Sequence, residues 1–145
     1  MSKFRATIEV GGVPVRAAYD QLTHFENYPR FMTGVQQVVQ LSDIETHWVM
    51  DLGGQQREFD AQLIECQPDQ RVAWQSTDGP MLSEAITLKR VASDRCQLLA
   101  ELEADARALL PSDAHAQEAM SRRLKADLNR FKQYVEQQVG PVHAI

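Results

Sequence analysis

The feature that most constrains this chain is a change of period. From Val35 to Asp105 apolar and polar residues alternate with a period of two, in short runs cut by turn residues. From 114 to 138 there is neither glycine nor proline, and the apolar residues recur at helical spacing. In the first region Trp48, Met50 and Leu52 alternate with His47, Val49 and Asp51, and Gly53-Gly54 turns the chain. Phe59, Ala61 and Leu63 share the next face, followed by Gln67-Pro68-Asp69. Val72, Trp74 and Ser76 come before Asp78-Gly79-Pro80, and Ile86 and Leu88 before Ala92-Ser93-Asp94. Cys96, Leu98, Ala100 and Leu102 form one side of the last run, and Val35 to Leu41 read as an additional strand at its start. Six consecutive strands joined by short turns predict an antiparallel meander rather than a parallel sheet.

The flanking segments complete the pattern. Phe4, Ala6, Ile8 and Val10 alternate with Lys3, Arg5, Thr7 and Glu9, a first strand stopped by Gly11-Gly12 and the seventh in all. Pro14 opens a helical stretch with Ala17, Ala18, Leu22 and Phe25 at helical spacing, and a second short helical piece around FENYPRFM is expected to bend at Tyr28-Pro29. At the other end Pro111-Ser112-Asp113 signals a helix start near Ser112. Met120, Leu124, Leu128, Phe131 and Val135 then fall within an arc of about 80° on that helix. The far side carries Arg122, Lys125, Asn129 and Lys132, and Gly140-Pro141 ends it. These elements predict one α+β domain over 1–140 with a tail at 141–145. A curved antiparallel sheet of six or seven strands wraps the long helix and leaves an apolar cavity between them. Loss of the tail is expected to change stability by less than about 0.5 kcal/mol.

At 145 residues the chain suits one domain, and 43% hydrophobic with 24% charged residues is a globular composition. Lys plus Arg is 15 against 20 for Asp plus Glu, a formal charge of −5, which disfavours nucleic acid and anionic membrane surfaces as partners. Arg122, Arg123, Lys125, Arg130 and Lys132 are interrupted by Glu118, Asp127 and Glu136, the pattern of a solvated helix face. With no apolar run near 20 residues and no apolar stretch in MSKFRATIEV, the expectation is a cytoplasmic protein without stable membrane insertion. Cys66 and Cys96 read as free thiols on opposite faces, and His24, His47, His115 and His143 are too scattered for a zinc site. No metal and no cofactor is expected. Phosphate-binding glycine loops, GxSxG and HExxH are absent from the sequence.

The element order resembles a known family, with VPVRAAYDQLTHFENYPRFM after the first strand, REFDAQLIECQPDQRVAWQSTDGP in mid-sheet and LKADLNRFKQYVEQ in the last helix. The chain is similar, over roughly residues 3 to 138, to the polyketide cyclase/dehydrase and coenzyme Q-binding branch of the START/Bet v 1-like superfamily. That resemblance implies a helix-grip fold with a hydrophobic tunnel between sheet and C-terminal helix. It implies a hydrophobic small molecule such as a lipid, quinone or polyketide-like aromatic as partner. Two other roles are implied within the family: a cyclase or dehydratase, and an interaction module whose cavity is only core.

On this reading the ligand-binding candidates are Tyr28 and Phe31 at the tunnel mouth, Trp48, Met50, Phe59, Ala61, Leu63, Trp74 and Ile86 on the sheet, and Met120, Leu124, Leu128 and Phe131 on the helix. An ordinary pocket of this kind spans about 300 to 1,000 Å³. Trp48 and Trp74 would supply flat walls, with their indole N–H groups free to orient a polar group of the ligand. Three ionisable residues share the inward phase: Arg57, Glu84 and Asp127. A buried carboxylate suits general acid or base chemistry. The plainer expectation puts Arg57 and Glu84 at strand ends near solvent and pairs Asp127 with Arg123.

Overall fold

The computed structural model describes residues 2–139, so the tail at 141–145 lies outside the described residues. Its strands are β1 (Ser2–Gly11), β2 (Val35–Gln40), β3 (Glu45–Leu52), β4 (Gln55–Gln67), β5 (Arg71–Ser76), β6 (Leu82–Ala92) and β7 (Arg95–Ala104). They form one seven-stranded antiparallel sheet in the order β1-β7-β6-β5-β4-β3-β2. The meander thus runs through six strands, and β1 closes onto β7 with Phe4 opposite Leu102 and Val10 opposite Cys96. Helix α1 (Val15–Leu22) follows β1, with Pro14 just outside its first turn in extended conformation. A 3₁₀ helix spans Phe25–Arg30 with Pro29 inside it. The expected break at Tyr28-Pro29 is therefore absent: the looser demands of a six-residue 3₁₀ helix accommodate the ring, and the chain leaves it only at Phe31.

The long helix begins later than its sequence signal. A one-turn helix α2 (Ala106–Leu109) comes first, its N-terminus capped by Asp105, whose Oδ1 accepts from the Ala108 N–H at 3.2 Å. The chain then turns, with Asp113 Oδ1 accepting from the His115 N–H, and α3 runs over Ala116–Val139. Pro111-Ser112-Asp113 thus marks the turn before the helix rather than its start. Hydrogen bonds staple α3 to β1 at both ends, and at the N-terminal end Gln117 Nε2 donates to Ser2 Oγ at 2.9 Å. Glu136 Oε2 accepts from the Gly11 N–H at 3.0 Å, and Lys132 Nζ donates to the Glu9 carbonyl at 3.0 Å.

The core lies between the inner face of the sheet and α3, where Met120, Leu124, Leu128, Phe131 and Val135 are all buried. Burying five such side chains supplies about 1.5–3 kcal/mol each, the main term holding helix to sheet. In β4 a bulge leaves Ile64 as an extra residue: Leu63 faces Trp74, while Glu65, not Ile64, faces Ala73. The phase flips there, so Cys66 faces Val72 and lies on the inner side, contrary to the face expected from uninterrupted alternation. Its Sγ meets the Tyr19 hydroxyl at 2.8 Å. Cys66 and Cys96 are both free thiols, as expected, though the reasoning from strand phase holds only for Cys96.

Candidate functional site

A concavity of about 470 Å³ lies on the outer face of the sheet among β1, β7, β6, β5 and the bulged part of β4. Its charged groups satisfy one another: Arg5 pairs with Glu101 at 3.0 Å, and Arg71 with Glu65 at 2.7 Å and Glu101 at 3.9 Å. It is a solvated surface of mostly paired charges, with Lys3 and Glu103 at its rim.

The interior beneath α3 is different. Two voids of about 30 Å³ and 20 Å³ lie between sheet and helix, far smaller than the tunnel expected from the sequence. The space is filled by aromatic rings. Trp48 and Trp74 meet at 4.5 Å between ring centroids, Tyr28 packs edge-on against Trp48 at 5.5 Å, and Phe31 packs edge-on against Phe131 at 4.9 Å. The Trp48 N–H is also not free, because it donates to Thr46 Oγ1 at 2.7 Å.

Of the candidates read from the sequence, Trp48, Met50, Trp74, Met120 and Leu124 border the larger void, and Tyr28, Phe31, Ile86, Leu124, Leu128 and Phe131 the smaller. Phe59, Ala61 and Leu63 border neither. They sit on β4, where the Trp48 ring, stacked on Phe59 at 6.0 Å and 9° between planes, stands between that strand and the voids.

Two carboxyl groups border both voids: Glu84 on β6 and Asp127 on α3. The sequence expectation for each is corrected. Glu84 is only 5% exposed, because β6 is flanked on both sides and its third residue already lies opposite Trp74 of β5 and Leu102 of β7. No described residue hydrogen-bonds its carboxyl group. Burial, reinforced by the Asp127 charge, pushes Glu84 up to about 8. Asp127, 9% exposed, makes no ion pair with Arg123. Its Oδ1 accepts from the Thr33 N–H at 2.8 Å, while Arg123 Nη1 donates to the Thr33 carbonyl and Arg130 Nη1 to the Thr33 hydroxyl, each at 2.9 Å. Burial raises Asp127 to about 6, and hydrogen bonds from Thr33 and the two arginine charges hold it below Glu84. Both carboxyl groups are therefore raised by burial, Glu84 further than Asp127.

The backbone holds the Thr33 latch in place. Gly34 has φ +89°, and a Cβ there would lie 2.5 Å from Arg123 Nη1 and 2.7 Å from the Asp51 carbonyl. Tyr28 frames the other side of the site, its hydroxyl donating to the Leu22 carbonyl at 2.6 Å. Burial, then the nearby Glu84, raises its phenol well above the usual range. Thr33 carries no inward signal in the sequence, since it reaches the site through the chain turn after the 3₁₀ helix, whereas Met32 at the mouth follows from the same FENYPRFM stretch and Arg123 borders the larger void from α3. The third inward-phase residue, Arg57, turns away from the voids: its Nη2 donates to the Ala108 carbonyl at 2.9 Å and ties β4 to α2.

Comparison with known proteins agrees with this architecture. The chain is 37% identical over 138 residues, covering 94% of this chain and 91% of the relative, to an uncharacterised 17.2 kDa protein in the melC2-rnhH intergenic region of Streptomyces lincolnensis. Among solved structures it is similar to the Zhui aromatase/cyclase of Streptomyces sp. R1128, with a TM-score of 0.76, 16% identity and 95% of each chain covered. It is also similar to a START superfamily protein of Mycobacterium smegmatis, with a TM-score of 0.72, 13% identity, and 97% of this chain and 98% of that one covered. At those identities the structures speak for a shared helix-grip fold. Residues 12–132 match the family model described as polyketide cyclase / dehydrase and lipid transport, and with more than half its length so matched, the chain belongs to that family.

Proposed function

We propose that this protein binds a small, mostly apolar molecule bearing a carbonyl or hydroxyl group, between the inner face of the sheet and α3. The observation that carries the reading is the carboxyl group of Glu84, on a residue only 5% exposed and bordering both voids beneath α3. A ligand oxygen that accepts from the acid form would give that carboxyl group a hydrogen-bond partner inside a largely apolar interior. The small volume of the voids does not oppose this. Met32, Met50 and Met120 line the larger one, and methionine side chains repack readily around a guest. The family's lipid transport and polyketide descriptions support an apolar partner.

Melting curves of the protein with quinones, fatty acids and aromatic polyketides test the reading. A true ligand raises stability by about 2.7 kcal/mol at a hundredfold excess over its dissociation constant. Leu124 borders both voids, so Leu124→Phe should keep the fold and abolish the shift. If no compound shifts the wild-type melt, the binding reading falls.

A further inference from the structure

We infer that the turn at 32–34 is a strap that closes the interior, fastened to α3 at its tip by Thr33 and lifting between Phe31 and Gly34 to admit a ligand. The inference rests on the binding reading above for what enters, and deepens it by assigning the port of that site. The strap is a wall of the interior. Four residues border both voids: Met32, Glu84, Leu124 and Asp127. Glu84 belongs to β6 and the last two to α3, so Met32 is the one that a turn carries. Thr33 is exposed and borders the larger void, so here a single residue stands between that void and solvent. Lifting the turn withdraws Met32, joins the two voids and opens them to water.

The fastening is concentrated in one residue. Each polar group of Thr33 is held by a side chain of α3: the N–H by Asp127 at 2.8 Å, the carbonyl by Arg123 and the hydroxyl by Arg130, both at 2.9 Å. Positions 123, 127 and 130 share one side of the helix, so the three converge on a single tip. Hydrogen bonds at an exposed tip exchange for water at small net cost, whereas buried apolar contacts do not. The ends of the strap stay in place when it lifts. Phe31 packs against the rings of Phe131 and Tyr134 at 4.9 and 5.5 Å. Gly34 accepts from the Asp51 N–H at 2.7 Å, and its φ of +89° lies where glycine moves without a Cβ penalty. Apart from Thr33, the bonds exchanged are those of Met32, whose N–H donates to the Tyr28 carbonyl at 2.8 Å and whose carbonyl accepts from the Val35 N–H at 3.2 Å. The pairing of β2 with β3, which starts at Val35 and Met50, is untouched.

The test needs no ligand. Acrylamide quenches tryptophan fluorescence on contact, and Trp48 and Trp74 border the larger void while only 0% and 3% exposed. Quenching therefore reads opening at the void, and amide hydrogen exchange by NMR reads opening at Thr33. In wild type the Thr33 amide should exchange at least about 10²-fold faster than the amides of β6 and β7, at a rate that low concentrations of urea leave unchanged, as a local opening exposes little surface. Arg123→Gln combined with Arg130→Gln removes two of the three fasteners. It should speed Thr33 exchange at least about tenfold and raise the acrylamide quenching constant at least about twofold. Lys132→Gln frees α3 from the Glu9 carbonyl elsewhere on the same helix and should change neither, which a general loosening of the helix would not allow. Thr33 exchange that follows urea together with β6 and β7 means that the turn opens only on unfolding, and it overturns the strap. This wild-type measurement decides the matter even where the double variant fails to fold. Unchanged quenching in a folded double variant overturns the strap too, as does an equal effect of Lys132→Gln. Each of these results leaves the binding reading standing, because that reading depends on the melting curves alone.

Discussion

Glu84 is the side chain on which pH acts most strongly. In an unfolded chain its carboxyl group titrates near 4.5, and in the folded protein near 8. Across that interval the folded state holds a proton that the unfolded state releases. The stability tied to Glu84 is therefore complete below pH 4.5 and is lost as the pH rises toward 8. Asp127 acts with the same sign, between 3.8 and about 6. Wild type should therefore melt at a lower temperature at pH 8 than at pH 5, by the equivalent of a few kcal/mol. Glu84→Gln, which cannot ionise, should show a flatter profile in calorimetry from pH 5 to 8, and an unchanged slope would show the carboxyl group to be hydrated. Part of this site is legible in the sequence: alternation puts Glu84 in phase with Ile86 and Leu88, and helical spacing puts Asp127 beside the apolar stripe. Phase gives the face of a strand and not its depth. Depth comes from β5 and β7 flanking β6, and the hold on Asp127 comes from Thr33, 94 positions away.

At the scale of elements, the turn after the 3₁₀ helix is locked to α3 through the backbone of Thr33, and Gly34 is the hinge of that lock. Gly34→Ala meets both a positive φ and a backbone carbonyl at 2.7 Å, so it should destabilise by about 1–3 kcal/mol in urea denaturation. A loss under 0.5 kcal/mol would mean that the turn rebuilds without cost. The helix starts make a second test. Asp105→Ala removes the side-chain cap of α2 and should cost about 1 kcal/mol, whereas Ser112→Ala, in the turn before α3, should stay within about 0.5 kcal/mol. The sequence signals for a helix start at Ser112-Asp113 and for the face of Cys66 mislead because both are local. A capping residue and an alternating pattern describe local preference, whereas the pairing of β4 with β5 leaves Ile64 over, and Asp113 is used to hold the turn at His115 rather than to cap α3.

For the whole molecule, the class of fold is legible because two periods in one chain leave few ways to bury both apolar faces. The size of the interior is not, since it depends on how far Trp48 and Trp74 reach across it. Ala61→Trp makes the difference measurable. With Ala61 buried at a place that borders neither void, the added ring should overpack the core and lower stability by about 1–3 kcal/mol. A folded variant of wild-type stability would show that a larger space opens there in solution. The pairing of β1 with β7 carries a further consequence, for the order of events during folding. Phe4 lies opposite Leu102, so β1 leaves the ribosome 98 residues ahead of its partner. At about 5–20 residues per second that wait lasts on the order of 5–20 s. The meander from β2 to β7 can assemble by neighbouring hairpins in the meantime, and β1 pays the largest loop-closure entropy of any strand. Strand β1 is thus made before the meander and seated after it, and until it arrives β7 presents an open edge to any other extended chain nearby.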